Sequence, residues 1–199
     1  MTFPRCFQNM TLLPDGTVLA TGGAVDSVGK DVANAVYPVE LWSPATETWT
    51  TLASMNAPRL YHSEALLLPD GRVLISGGGR FYDYPDPNDQ LNAEFFAPPY
   101  LFKGSRPVIT SAPQLSYGQN FTVQTPNAAQ IATVSLIRYG SVTHAFNMGQ
   151  HFLPLSFSAG NGSLTISAPV NANLAPPGNY LLFIVNTNGV PSVAATVHF

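Results

Sequence analysis

Charged side chains are scarce in this 199-residue chain. Asp, Glu, Lys and Arg make up 10% of it, whereas about 25% is usual in soluble globular domains. With eight Lys and Arg and a formal net charge of −3, the sequence offers no basic surface for nucleic acid or an anionic membrane. No apolar run approaches the ~18–20 residues that are needed to cross a bilayer. We therefore expect neither nucleic acid nor a membrane as a partner.

Cysteine is almost absent as well. Cys6 is the one cysteine, so a disulfide within the chain is excluded. The N-terminus has no apolar segment of the kind that a signal peptide carries. Three N-glycosylation sequons begin at Asn9, Asn120 and Asn161, and they favour an extracellular or cell-surface location.

Proline and glycine, by contrast, are frequent. The 18 prolines and 16 glycines stand between apolar runs rather than in low-complexity tracts, and 45% of the residues are hydrophobic. This pattern is typical of a β-rich protein with many short strands and tight turns.

An internal repeat organises the first half of the chain. Residues 12–23, LLPDGTVLATGG, return as residues 67–78, LLPDGRVLISGG, at an offset of 55. Two flanking segments repeat at an offset of 54: 4–8 with 58–62, and 40–44 with 94–98. Each copy predicts a strand, a Pro-Asp-Gly hairpin turn, an apolar strand that ends at Gly-Gly, and further strands after a variable loop. Four short strands in about 50 residues are typical of a kelch-type propeller blade.

The number of blades is too small for a closed ring. Residues 1–103 hold about two blades, whereas β-propellers close with typically 4–8. An open stack of two blades leaves sheet faces and strand edges exposed. We therefore expect this sequence to be a fragment of a longer protein or a truncated gene model.

From residue 104 the pattern changes to about seven short strands at a spacing of 8–12 residues, which predicts an immunoglobulin-like β-sandwich over 104–199. The predicted strands are 107–112, 120–124, 132–139, 153–157, 163–168, 180–186 and 192–199.

The candidate functional residues are the histidines and one tyrosine. We interpret His151 and His198 as structural, because a lone histidine in a β protein seldom binds a metal. His62 follows Tyr61 at the start of a blade's first strand, where inner strands line the channel of a propeller. Neighbours on a strand point to opposite faces, so this pair can bind one metal only if the backbone deviates there. Spacing alone leaves a metal role and a structural role open.

Two motifs resemble the copper-radical oxidases of the galactose oxidase and glyoxal oxidase family. Residues 59–63, RLYHS, with the segments 66–71 and 77–79 that follow, are similar to the family's last propeller blade. Residues 135–144, SLIRYGSVTH, and the ending 177–194 are similar to its C-terminal early-set domain. The resemblance covers essentially the whole chain. It implies an all-β fold, a partial kelch-type β-propeller of about two blades followed by an immunoglobulin-like (early set) β-sandwich.

The resemblance also implies a site for one copper ion. Tyr61, His62 and His144 match the family's copper ligands, and Tyr61 also matches the base that takes the proton of the alcohol. Two imidazoles with a phenolate oxygen form the N,O environment that suits Cu(II). Phe7 matches an aromatic wall of the substrate pocket, and Gln8 stands where galactose oxidase has a histidine.

The implied function is the C-terminal part of a copper-radical oxidase that oxidises a primary alcohol or an aldehyde and reduces O₂ to H₂O₂. The expected partners are a small alcohol, sugar or aldehyde and O₂, and we expect a monomer. The family's radical cofactor, a tyrosine cross-linked to a cysteine, has no match in this chain, because Cys6 aligns elsewhere. We therefore expect the isolated chain to be inactive and at best a weak copper binder.

Two alternatives stay open at this point. One is a non-catalytic propeller and sandwich module that binds carbohydrate or protein. The other is a degenerate gene product without activity. A cysteine and a tyrosine placed for cross-linking in the sequence upstream of Met1 would favour the oxidase, and their absence would favour the binding module.

Overall fold

The computed structural model describes residues 1–79 and 88–199, and short antiparallel strands account for most of their regular structure. Helix is confined there to three short 3-10 segments, Val32–Asn34, Pro99–Phe102 and Ala128–Gln130. In this described part no helix is long and apolar enough to cross a membrane. The predicted all-β fold class is confirmed.

The chain divides into two compact units, each made of separate stretches of sequence. The first unit contains Met1–Leu68, Arg72–Phe96 and Gly140–Gly149, and the second contains Pro69–Gly71, Ala97–Tyr139 and Gln150–Phe199. The division into domains 1–103 and 104–199 stays a prediction. The compact units differ from it in that Gly140–Gly149 belongs to the first unit.

The first unit contains two antiparallel sheets that follow the sequence repeat. Their strands are β1 Asn9–Leu12, β2 Val18–Thr21, β3 Pro38–Ser43, β4 Thr48–Ser54, β5 Ser63–Leu67, β6 Val73–Gly77 and β7 Ala93–Phe96. The first sheet has the order β1-β2-β3-β4 and the second has the order β5-β6-β7. Strands β1 to β3 therefore correspond to β5 to β7, as the repeat predicts.

Both copies turn at their Pro-Asp-Gly sequence. Gly16 and Gly71 have φ values of +83° and +82°, which glycine adopts without a steric cost. In the first copy Leu13 N–H donates to the carbonyl of Thr17 at 2.9 Å and closes the turn. The predicted hairpins are thus present in both copies.

A buried ion pair holds the first sheet together. Nη2 of Arg5 lies 2.7 Å from Oε2 of Glu40, and both side chains are fully buried. Nη1 of Arg5 also donates to the carbonyl of Gly22 at 3.0 Å. Burial lowers the pKa of the Arg5 guanidinium, and the facing carboxylate of Glu40 partly offsets that shift. Arg5 therefore joins the segment before β1 to the end of β2 and to β3.

The second copy repeats this pair at the same offset. Nη2 of Arg59 lies 3.3 Å from Oε1 of Glu94, whose side chain is 17% exposed. Nη1 of Arg59 donates to the carbonyls of Gly77 and Asn92 at 3.0 and 3.1 Å. Arg59 is thus a buried anchor two residues before Tyr61.

A short hairpin completes the first unit. It consists of β10 Val142–Thr143 and β11 Phe146–Asn147, joined by His144 and Ala145. Both loop residues have positive φ, +54° and +61°, as in the type I′ turn that favours Asn-Gly. Ala145 N–H donates to the carbonyl of Ser63 at 2.9 Å, so the hairpin contacts the start of β5.

The second unit is a pair of antiparallel sheets. Its strands are β8 Asn120–Gln124, β9 Ile131–Arg138, β12 Phe152–Leu155, β13 Phe157–Ala159, β14 Ser163–Ser167, β15 Asn179–Asn186 and β16 Ala195–His198. One sheet has the order β12-β9-β15-β16 and the other has the order β13-β14-β8. Buried side chains of both sheets form one core: Phe121, Val123, Leu164 and Ile166 from one, and Val134, Leu136, Tyr180, Leu182, Ile184 and Val197 from the other.

Three strand predictions for this unit were wrong in whole or in part. Residues 107–112 make only an isolated bridge between Ser111 and Gln124, because Pro107 and Pro113 lack the N–H groups that a longer ladder needs. The predicted strand 153–157 divides at Ser156 into β12 and β13, which belong to different sheets. The last predicted strand, 192–199, pairs regularly only over Ala195–His198.

The two ion pairs should differ in their effect on stability. Glu40→Ala leaves the buried guanidinium of Arg5 without its counter-charge, so we expect the free energy of unfolding to fall by about 3–5 kcal/mol. Glu94→Ala should cost clearly less, because that pair is longer and partly exposed. Urea unfolding of both variants measures the difference, with Glu40→Gln as a milder replacement. Equal losses for the two alanine variants would contradict this ranking.

The hairpin loop should carry backbone strain that glycine relieves. A left-handed conformation costs a residue with a Cβ roughly 1–2 kcal/mol, so Ala145→Gly should raise the free energy of unfolding by about 1 kcal/mol. Ala93→Gly is the matched control, because Ala93 lies in β7 and is exposed, and there glycine should destabilise. Thermal unfolding of both variants tests the opposite signs, and destabilisation by Ala145→Gly would refute the strain.

Candidate metal site

Tyr61 and His62 lie in a turn that immediately precedes β5. Ser63 N–H donates to the carbonyl of Leu60 at 2.9 Å, and β5 begins at Ser63. His62 has a φ of +67°, a left-handed conformation that is uncommon for a residue other than glycine. The ring centres of Tyr61 and His62 are 4.0 Å apart with an interplanar angle of 34°. The deviation from strand geometry that a shared metal requires is therefore present.

His144 reaches the same place from the tip of the hairpin β10–β11. Its ring centre lies 4.6 Å from that of His62 and 5.7 Å from that of Tyr61. The hydrogen bond from Ala145 N–H to the carbonyl of Ser63 connects the residues that follow the two histidines. The structure thus brings together all three side chains that the sequence proposes as ligands.

Hydrogen bonds orient both imidazoles. Nδ1 of His62 lies 3.0 Å from the carbonyl oxygen of Gly79. Because a carbonyl only accepts, this contact assigns the proton to Nδ1 and leaves Nε2 as the basic nitrogen in the neutral ring. Nδ1 of His144 lies 2.6 Å from Oγ1 of Thr143, a hydroxyl that is also able to accept. Such contacts fix the tautomer and the orientation of metal-binding histidines.

The donor set is of a kind that Cu(II) accepts. Across residues 1–79 and 88–199, no three His, Cys, Asp or Glu side chains come together, and the phenol of Tyr61 is the third potential ligand beside the two histidines. With metal–nitrogen bonds of about 2.0 Å, two imidazoles at right angles have ring centres about 4–5 Å apart. The separation of 4.6 Å between His62 and His144 agrees with that arrangement. Two nitrogens and a phenol oxygen are ligands that Cu(II) accepts.

Phe7 forms an aromatic wall beside Tyr61. The two ring centres are 5.3 Å apart, with the rings edge to face at 73°. Gly29 lies against the Phe7 ring so closely that a Cβ at Gly29 would collide with it. The carbonyl of Gly29 also accepts a hydrogen bond from Tyr61 N–H at 3.3 Å. A glycine is therefore required where this loop touches both aromatic residues.

Asp26 shapes the loop that carries Gly29. Its Oδ1 accepts hydrogen bonds from the backbone N–H groups of Val28 and Gly29, both at 2.7 Å. Its Oδ2 accepts from the side-chain amide of Asn34 at 2.6 Å. The hydrogen bonds from Gly29 and Val28 lower the pKa of Asp26. Asp26 is thus ionised in the loop conformation that places Gly29 beside Phe7.

The other two histidines belong to the second unit. Nε2 of His151 contacts the carbonyl of Leu174 at 2.9 Å, and Nδ1 of His198 contacts Oδ1 of Asn179 at 3.0 Å. Each ring therefore has a local hydrogen-bond partner, which fits a structural role. Cys6 is exposed and carries a free thiol, and Gln8 beside Phe7 is half-buried.

Four residues around the site were not found from the sequence: Ser63, Asn9, Thr143 and Gly79. Nδ2 of Asn9 donates to Oγ of Ser63 at 3.0 Å, and both residues are buried. They occupy equivalent positions in the repeat, so the offset of 54 contains a signal for this contact. Thr143 precedes His144 in the sequence, whereas nothing in the sequence marks the carbonyl of Gly79 as a partner of His62.

Two family models together match almost the whole chain. The model described as "Glyoxal oxidase N-terminus" matches residues 1–100, and the model described as "Galactose oxidase-like, Early set domain" matches residues 106–199. These are the two parts that the motifs of residues 59–63 and 135–144 indicate.

Relatives with known names agree with these models. Galactose oxidase from Gibberella zeae is 36% identical over 203 residues, which cover 98% of this chain and 29% of that protein. Aldehyde oxidase GLOX from Vitis pseudoreticulata is 36% identical over 219 residues, covering 99% of this chain and 42% of that protein. The chain thus spans less than half the length of these relatives.

The fold agrees as well. A solved structure of a fungal alcohol oxidase in complex with copper matches this chain with a TM-score of 0.90 and 32% identity, over 98% of this chain and 42% of that one. The resemblance that the sequence motifs carry is therefore confirmed. The chain belongs to the galactose oxidase and glyoxal oxidase family.

Proposed function

We propose that this chain supplies the copper-binding residues of a copper-radical oxidase that converts a primary alcohol or an aldehyde with O₂ to the oxidised product and H₂O₂. The observation that carries the proposal is the convergence of Tyr61, His62 and His144, whose ring centres lie 4.0–5.7 Å apart. Residues 1–103 are the last kelch-type blades in this proposal, and residues 104–199 are the early-set domain. The protein acts as an extracellular monomer.

In this proposal one copper ion is held by Nε2 of His62, Nε2 of His144 and the phenol oxygen of Tyr61. When bound, copper supplies a Lewis acid and a one-electron redox couple. The Nδ1 contacts of the two histidines hold their rings in place and leave both Nε2 atoms to act as the ligands in this proposal. The left-handed turn at His62 keeps Tyr61 and His62 on the same side of the chain.

Tyr61 has a second task in the proposal, since its phenolate oxygen takes the hydroxyl proton of the substrate. Phe7 packs edge to face against Tyr61 and covers one side of its ring. The loop of Gly29 packs against Phe7 and bonds to the backbone of Tyr61. In the proposal, the substrate meets the apolar ring of Phe7 on one side and the proton acceptor, Tyr61, on the other. Such a pocket suits a small alcohol, sugar or aldehyde.

The radical cofactor is proposed to come from outside these 199 residues. Oxidation of an alcohol to an aldehyde removes two electrons, and a single copper ion exchanges one. The chain contains no tyrosine that matches the family's cross-linked residue, and Cys6 aligns with a position before Phe7. The isolated chain is therefore expected to bind copper only weakly and not to complete the reaction.

Copper titration of the purified chain tests the site. We expect one Cu(II) per chain, with an electron paramagnetic resonance signal of nitrogen-coordinated copper. His62→Ala and His144→Ala should each weaken binding by at least about tenfold, because even residues that only support metal ligands contribute 10–100-fold. Tyr61→Phe should remove the absorption band of phenolate bound to copper. His151→Ala is the matched control and should bind like the parent chain.

Two outcomes would count against the proposal. Equal copper affinity in His144→Ala and His151→Ala would show that His144 is no ligand, and no binding at all would favour the non-catalytic binding module. Under air, the copper-loaded chain should form no sustained peroxide from galactose or methylglyoxal. Sustained peroxide that His144→Ala abolishes would show that the chain carries a complete redox centre.

Thr143 is proposed to position His144 through its hydroxyl. Thr143→Val keeps the shape and the β-branched side chain but removes the acceptor for Nδ1–H, so copper affinity should fall by about 10–100-fold. Thr143→Ser keeps the hydroxyl and should stay within a few-fold of the parent chain. The copper resonance spectrum provides a second readout, because a reoriented imidazole changes its parameters. Equal affinities of the valine and serine variants would contradict this role.

A further inference from the structure

Of the three asparagines that begin N-glycosylation sequons, Asn9 is buried, whereas Asn120 and Asn161 are exposed. Asn9 lies in β1 with 4% of its surface exposed, and its Nδ2 donates to Oγ of Ser63 at 3.0 Å. A sugar on Nδ2 would have to displace Ser63 from the start of β5. The folded protein therefore has no room for a glycan at Asn9.

Asn120 is exposed but belongs to a regular strand. It begins β8, where it pairs with Ser167 across the ladder, and its Oδ1 accepts a hydrogen bond from Oγ of Ser167 at 3.2 Å. The middle residue of this sequon, Phe121, is buried in the core of the second unit. An enzyme that grips an extended tripeptide would have to pull this core residue out of the folded protein.

Asn161 is different in each of these respects. It lies in the turn between β13 and β14, and residues 158–162 are all exposed. Within the part of the chain that the structure describes, no side-chain hydrogen bond engages Asn161. Gly162 has a φ of +74°, and a Cβ built there would have no heavy atom within 4 Å. The space next to Gly162, which follows Asn161, is therefore open.

The turn that carries Asn161 is nevertheless well defined. Gly160 N–H donates to the carbonyl of Ser163 at 2.8 Å, and the carbonyl of Gly162 accepts from Thr125 N–H at 2.9 Å. The backbone on both sides of Asn161 is thus held by hydrogen bonds, while the side chain projects from the tip. This combination gives an acceptor that can be modified without loss of any contact in the sandwich.

We infer that Asn161 is an N-glycosylation site of this protein. The donor is a lipid-linked oligosaccharide diphosphate of a secretory pathway. The bond between the anomeric carbon and the diphosphate oxygen breaks, a bond from that carbon to Nδ2 of Asn161 forms, an amide proton is released, and the lipid diphosphate leaves. The sequon Asn161-Gly162-Ser163 supplies the recognised tripeptide.

A glycan at this turn suits the composition of the chain. Charged residues make up only 10% of the sequence, so few side chains hydrate the surface strongly. An oligosaccharide on an exposed turn adds a large hydrated group without burying a charge. The inference is independent of copper, because no residue of the candidate metal site takes part in it.

Secretion of the full 199-residue chain from a yeast host tests the site. Enzymatic release of N-glycans in ¹⁸O-water converts each occupied asparagine to labelled aspartate, which peptide mass spectrometry then locates. We expect the label at Asn161 and none at Asn9 in the folded fraction. Asn161→Gln should lose the glycan mass at this position, and so should Ser163→Ala, which keeps the asparagine but destroys the sequon. Ser163→Thr keeps a sequon, so glycan occupancy at Asn161 should be at least as high as in the parent chain.

Asn120→Gln serves as the matched control, because it removes an exposed sequon elsewhere in the second unit and should leave the label at Asn161. Circular dichroism confirms that each secreted variant is folded. An unlabelled Asn161 in folded, secreted protein would overturn the inference. A label at Asn161 supports it whether or not Asn120 is also labelled.

Discussion

The buried guanidinium of Arg59 fixes the segment on which the candidate metal site is built. It donates to carbonyls at the end of β6 and before β7, while the backbone carbonyl of Arg59 accepts from Gly23 N–H at 2.7 Å. The chain leaves this anchor, makes the turn that contains Tyr61 and His62, and enters β5 at Ser63. Ser63 is held in turn by Asn9 through its hydroxyl and by Ala145 through its carbonyl. The turn between the two anchors therefore has little freedom to relax.

That lack of freedom explains how residues that disfavour a left-handed backbone persist there. His62, His144 and Ala145 all have positive φ and all carry a Cβ. Local preference would place glycine or asparagine at such positions. A sequence that departs from its own turn preferences usually does so at a functional site, where the surrounding structure maintains the strain. Of the five such residues in the described part of the chain, Phe7, His62, His144 and Ala145 lie at the candidate site, whereas Glu47 lies in the turn between β3 and β4.

The strands of the first unit were predictable from the sequence, because Pro-Asp-Gly turns and apolar runs recur at a fixed offset and each acts locally. The sandwich was predictable in outline for the same reason. Its errors arose at Pro107 and Ser156, where pairing with a particular neighbour decides whether an extended segment becomes a strand and to which sheet it belongs. The residues of the candidate site came from family resemblance. Their convergence depends on hydrogen bonds between distant segments, such as Ala145 with Ser63, and periodicity carries no information about those bonds.

The hairpin of residues 140–149 has a consequence for the order of events during synthesis. It belongs to the first compact unit, yet it is encoded after the first strands of the second. On the ribosome, β1 to β7 emerge long before His144, and the loop between them must close over many residues before the hairpin can seat on β5. The constellation of Tyr61, His62 and His144 is thus among the last features of the first unit to form. A nascent chain cannot assemble this set of donors early. The three side chains can therefore bind a metal together only after translation has passed well beyond the blades.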